Sequence, residues 1–180
     1  MIRPGHLPDR LIETARREDP LGTLFDRTTS EYHSLSDLPG EVLAALRADV
    51  EKFELPEVGA NVIGCFQTTS VPTKKHKKDK ESEIQHLSIV LTPEMLYWVL
   101  DWRGKINVNW ARLSEIEVGD YRRSPEYEIM PDTGVDVRGF VRGGPERVSA
   151  LIGLGEGGEA DKLMAALGEA VKKAGGVWKQ

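Results

Sequence analysis

One cysteine, Cys65, stands in a chain of 180 residues. It cannot close an intramolecular disulfide or supply a cysteine metal cluster, and that usage suits a reducing compartment. The four histidines, His6, His33, His76 and His86, share no short helical or strand spacing of a metal pair. No apolar run approaches the ~20 residues of a membrane-spanning helix, and the opening MIRPGHLPDRLIETARRED lacks the apolar stretch of a secretory signal. A cytoplasmic location is the expectation. No G-x-S-x-G elbow occurs, so serine-hydrolase geometry has no signature. A net charge of -5 argues against general nucleic-acid binding. What is present is ordinary globular composition, with hydrophobic residues at 39%, which excludes general disorder.

Along the chain, residues 1–57 read as a helical N-terminal extension and residues 58–180 as the main domain. Pro8 suits the first turn of a short helix whose Leu11, Ile12 and Ala15 share one side. Asp19-Pro20 ends it, because a residue before proline is pushed out of helical geometry. A second helix is expected from about Asp37–Pro39, with Val42, Leu43, Leu46, Val50 and Phe53 at helical spacing.

From Val58 the period changes to two. Asn61 to Val71 reads as a strand, and Leu87, Ile89 and Leu91 alternate with their neighbours. Met95 to Trp102 is apolar on both faces, and Arg103-Gly104 makes a hairpin into Ile106, Val108 and Trp110, which alternate with Asn107 and Asn109. Ile116 and Val118 continue the pattern. A polar loop from Arg122 to Thr133 precedes strands at Val135–Val141 and Val148–Leu154. Finally Ala160, Leu163, Met164, Leu167, Val171 and Ala174 form a helical stripe that Gly175-Gly176 terminates. The expected class is α+β: a curled antiparallel sheet of about seven strands, capped by the C-terminal helix.

The stretch HLSIVLTPEMLYWVLDWRGKINVNWARLSEIEV (86–118) and the closing helix DKLMAALGEAVKKA carry a family likeness. Strand, Thr-Pro turn, aromatic strand, glycine hairpin and the A-x-L-S-E-I segment resemble the pleckstrin-homology-like superfold, particularly its bacterial and GRAM-like branches, over about Val58 to Ala174. The resemblance implies a PH-like barrel without cofactor or metal, and a non-catalytic module that binds a protein or peptide partner. In lipid-binding members the loop between the first two strands grips phosphoinositide phosphates. Here that loop holds Lys74, Lys75, Lys77, Lys78 and Lys80, with His76 among them. These lysines are the candidate contact for anionic lipid or a partner, and a peripheral membrane adaptor is the alternative function. Against Asp79 and Glu81 they leave an excess of three positive charges. At ~1 kcal/mol per basic residue that is about 3 kcal/mol, weaker than millimolar binding. Glu83-Ile84-Gln85-His86 stands where the family pattern wants a basic residue.

Three further features invite chemistry. Gly153-Leu154-Gly155-Glu156-Gly157-Gly158 spells G-x-G-x-x-G between a strand and a helix. A dinucleotide fold needs a further parallel strand with an acidic end, yet only GVWKQ follows the helix, and Glu156 would oppose a pyrophosphate. The segment reads as a strand-to-helix hinge. Cys65 reads as a small core residue, and a Cys65–His86 pair across neighbouring strands would lack a third group or an oxyanion donor. Trp98, Trp102, Trp110 and Tyr97 read mostly as packing. The outer face of the doubly apolar strand still needs a cover, and the stripe Val42–Phe53 is the expected one, a second copy of the chain the rival.

Overall fold

The computed structural model describes residues 24–59, 61–73 and 83–179. Nine strands and two α-helices occur among them, with the strands in two sheets. Sheet A is an antiparallel meander of β1 (Phe25–Tyr32), β2 (Gly64–Pro72), β3 (Gln85–Leu91), β4 (Met95–Trp102) and β5 (Lys105–Arg112), in that order. Sheet B has the order β8 (Arg147–Gly153), β7 (Gly134–Phe140), β6 (Ile116–Asp120), β9 (Val177–Lys179). Its β6 and β9 run parallel, while its other pairs are antiparallel. Helix α1 (Gly40–Lys52) lies between β1 and β2 in the chain, and α2 (Gly158–Ala174) between β8 and β9.

Strand alternation sorts the core into two layers. Cys65, Val90, Tyr97, Val99, Val108 and Trp110 share one face of sheet A, where they meet Val42 and Leu46 of α1. Phe66, Ile89, Leu91, Leu96 and Trp98 take the other face and pack with Ile116, Val118, Val135, Val137 and Ile152 of sheet B and with Leu163, Leu167 and Val171 of α2. The doubly apolar β4 is thus the middle of a stack, and the N-terminal helix is its cover. Phe53 closes the α1 layer, its ring 5.5 Å from that of Trp110.

Both helices end for visible reasons. After α1 the chain turns through Glu54 at φ 49° and meets Pro56, which cannot continue the helix. After α2, Gly175 takes φ 88° and the Gly176 N–H donates to the Val171 carbonyl at 2.9 Å. Glu159 and Asp161 in the first turn of α2, and Lys172 and Lys173 in its last, complement the helix dipole. Leu167 is 1% exposed between the sheets and the helix. Leu167→Ala is therefore expected to cost about 2–5 kcal/mol, measured by urea denaturation. An unchanged midpoint would show that α2 is not part of the core.

Two expectations need correction. The helical N-terminal extension is not what the described residues form: FDRTTSEY (25–32) is a strand paired with β2 along its whole length, from Phe25↔Pro72 to Tyr32↔Cys65. The expected helix around Leu11, Ile12 and Ala15 lies outside the described residues. The strand eluded pattern reading because its inward positions include Arg27, Thr29 and Glu31, so the period of two is polar on both faces. Nor is there a closed barrel of about seven strands. The sheets remain separate because no ladder joins the ends of sheet A, β1 and β5, to the ends of sheet B, β8 and β9.

Among the described residues, no helix is long and apolar enough to cross a membrane.

Candidate functional site

Side chains bridge the gap where β1 approaches the end of β8. Arg27 projects from β1, and its Nη1 donates to Asp132 Oδ1 while its Nε donates to Ser70 Oγ at 3.1 Å. The two charged side chains are only 8% and 7% exposed. Burial pulls the Arg27 pKa down to about 10, and the adjacent carboxylate supplies the counter-charge that a protonated guanidinium needs there. The Phe25 ring lies 5.2 Å from the guanidinium carbon.

Asp132 is itself held by local chemistry: its Oδ1 accepts the Thr133 N–H at 2.7 Å, and Thr133 Oγ1 donates to the Leu154 carbonyl at 2.6 Å. Thr29 Oγ1 accepts the Gly155 N–H at 2.8 Å and lies 2.9 Å from Thr68 Oγ1. Here two of the four glycines of the G-x-G-x-x-G segment, Gly153 and Gly155, have their reason. A Cβ on Gly153 would fall 2.4 Å from Arg27 Nε, and one on Gly155 would fall 2.6 Å from the Arg27 carbonyl oxygen. They allow the segment to press against β1.

Two cavities flank Arg27. One, of about 290 Å³, is lined by Phe25, Asp26, Thr133, Gly155 and Glu156. The other, of about 170 Å³, lies between the sheets and is lined by Ser70, Gln85, Trp98, Asn109 and Leu151 among others. A third, of about 310 Å³, sits on sheet B beside Glu117, Asp120, Asp136, Arg138 and Lys179. Apart from Arg123, the charges lining this last cleft are paired. Arg138 bonds Asp136 and Glu126, both at 2.7 Å, Lys179 meets Glu117 at 2.6 Å, and Arg122 meets Asp120 at 2.8 Å. Hydrogen bonding to Lys179 holds the Glu117 carboxyl below its usual range, and hydrogen bonding to Arg122 does the same for Asp120. Such carboxylates stay ionised at neutral pH and are poorly suited to donate a proton.

No protein-family model, curated protein or solved structure matches this chain. Any chemistry assigned to it must come from its own residues.

Lys74, Lys75, Lys77, Lys78 and Lys80, with His76, lie outside the described residues, between Thr73 and Glu83. Cys65 is buried on the α1 face, and burial pushes its thiol up to about 12, which leaves no thiolate for nucleophilic work. It sits opposite Val90, whereas His86 pairs with Thr69 and lies 3.2 Å from that hydroxyl. The Cys65–His86 pair is not formed. Tyr97 and Trp110 face α1, while Trp98 faces the second sheet.

Arg27 and Asp132, 105 residues apart, left no spacing signal. Asn109 did leave one. It alternates with Val108 and Trp110, and because those face α1, it turns toward sheet B, where an apolar residue would be the default.

The strand edges differ in how they are treated. On β5, the Trp110 carbonyl accepts the Arg142 N–H at 2.9 Å and the Val108 carbonyl accepts Arg142 Nη1. On β1, Gly155 lies against the backbone. On β6, β9 is added as a parallel strand, with the Trp178 ring against Gly168 of α2. Among the described residues sheet B ends on one side in β8, exposed over Arg147, Val148 and Ser149, and on the other in the three-residue β9, with Val177 and Lys179 exposed.

Proposed function

We propose that the chain is a non-catalytic binding module that takes an extended segment of a partner protein along β8. The observation that carries this is the longest open edge: β1 and β5 at the ends of sheet A are met by Gly155 and Arg142, β9 is only three residues long, and the seven-residue β8 is left open with Val148 46% exposed. Exposed edges invite strand addition, and proteins usually blunt them. The longer of the two open ends of sheet B is the one with room for an extended segment. The parallel seating of Val177–Lys179 on β6 adds support, since sheet B already accepts one added segment. A five-stranded sheet, a second sheet and a C-terminal helix are compatible with a pleckstrin-homology-like fold, whose members mostly bind lipids, peptides or proteins. The thiol of Cys65 and the paired carboxylates of sheet B favour binding over catalysis.

The alternative, contact of the lysine segment 74–80 with anionic membranes, is tested in the same experiment. Val148→Lys places a charge on the edge and should abolish capture of partner proteins from the native lysate while leaving the melting temperature unchanged. Replacing Lys74, Lys75, Lys77, Lys78 and Lys80 by Gln should leave capture intact, and the parent protein should not sediment with phosphatidylserine vesicles. Capture that survives Val148→Lys would overturn the β8 assignment. Lysine-dependent sedimentation would favour the membrane reading instead.

A further inference from the structure

The inner face of sheet A is apolar toward α2 but changes character near Arg27. Gln85 of β3, Asn109 of β5 and Ser70 of β2 line the cavity of about 170 Å³ together with Trp98 and Leu151. Ser70 accepts from Arg27, while Gln85 and Asn109 make no side-chain hydrogen bond among the described residues. Two half-buried amides without a protein partner therefore share this face with the Trp98 indole, the cross-strand neighbour of Asn109, and Leu151 of sheet B completes the lining. Flat apolar walls with a few convergent polar groups are the make-up of a small-molecule site. An apolar cavity of about 150 Å³ holds a benzene ring, so this one has the scale of a single ring and its substituent.

Charge narrows the ligand further. Arg27 is matched by Asp132, so the cavity offers no net charge. A carboxylate would have to compete with Asp132 for the guanidinium, and an ammonium would face that guanidinium in a poorly solvated space. An amide edge suits neither repulsion, because each primary amide both donates and accepts.

We propose that this cavity between the sheets binds an uncharged planar molecule of about one six-membered ring bearing an amide-type hydrogen-bonding edge. Gln85 and Asn109 read that edge and Trp98 with Leu151 holds the ring. The site is independent of the β8 edge and stands or falls separately from it.

Benzamide is the probe, with benzoate and benzylamine as its charged counterparts, and the readout is the side-chain amide signals of Gln85 and Asn109 in ¹H–¹⁵N spectra of the full chain. Benzamide should shift both signals saturably in the millimolar range. The charged counterparts should bind at least about tenfold more weakly, and Asn109→Ala should weaken benzamide by a similar factor. Leu151→Phe, which fills the gap from the opposite side, should abolish the shifts while the melting curve confirms folding. Equal response to all three probes, no saturable shift up to the solubility limit as for a merely water-filled space, or binding untouched by both variants would overturn the proposal.

Discussion

Asp132→Ala is expected to destabilise the protein by about 3–5 kcal/mol, the usual penalty for removing one partner of a buried ion pair. The loss arises less from the missing attraction than from what remains. Arg27 would keep a guanidinium that is 8% exposed, with Ser70 Oγ as its only other side-chain hydrogen-bond partner among the described residues. The double variant Arg27→Met/Asp132→Leu should recover most of the deficit, because buried pairs replaced by apolar residues of similar volume are often neutral or stabilising. Urea denaturation of the two single variants and the double variant gives the coupling directly. Additive losses would mean that the pair is not what ties β1 to the segment after β8.

The parts of this architecture legible in the sequence were those that pack by repetition. The stripe Val42, Leu43, Leu46, Val50 and Phe53 announced α1, and a strand apolar on both faces announced that something must cover it. The C-terminal stripe likewise placed Leu163, Leu167 and Val171 in the core. What stayed hidden follows the opposite logic. β1 carries Arg27, Thr29 and Glu31 at its inward positions, and their satisfaction depends on Asp132, Thr68 and Lys162, partners far along the chain. Such long-range pairing leaves no local period. The three-residue β9 is too short to show alternation and is held by neighbours on both sides, Glu117 meeting Lys179 and Gly168 meeting Trp178. The difference between a closed barrel and two sheets lies at the sheet ends, which no ladder joins; where β1 meets the segment after β8, the Gly155 N–H bonds the Thr29 side chain instead. No hydrophobic pattern distinguishes those alternatives. Of the candidate site, Asn109 was legible as a polar residue in an apolar alternation, but which face it served depended on where α1 docks.

Removing residues 1–57 should prevent cooperative folding altogether. The deletion takes away β1, which pairs with β2 from Phe25↔Pro72 to Tyr32↔Cys65, and the whole of α1. Leu38, Val42, Leu46 and Leu55 leave with it, all buried against sheet A. At about 1.5–3 kcal/mol for each such side chain, four of them contribute roughly 6–12 kcal/mol, comparable with the ~5–15 kcal/mol that stabilises a typical domain. The loss is compounded by what becomes exposed. Tyr97, Val99, Val108 and Trp110 would form a continuous apolar face, and the Tyr97 hydroxyl would lose the Pro56 carbonyl that accepts from it at 3.3 Å. Exposed faces of that kind drive self-association. The truncated chain should therefore bind hydrophobic dye, sediment as oligomers and melt without a sharp transition. Leu46→Ala provides the graded version: 0% exposed in the parent, it should lower stability by about 2–5 kcal/mol while leaving a folded monomer. A truncated protein that remains monomeric, binds no dye and melts at the parent temperature would show that the N-terminal segment does not belong to the core, because an apolar face of that size cannot stand in water without a cover.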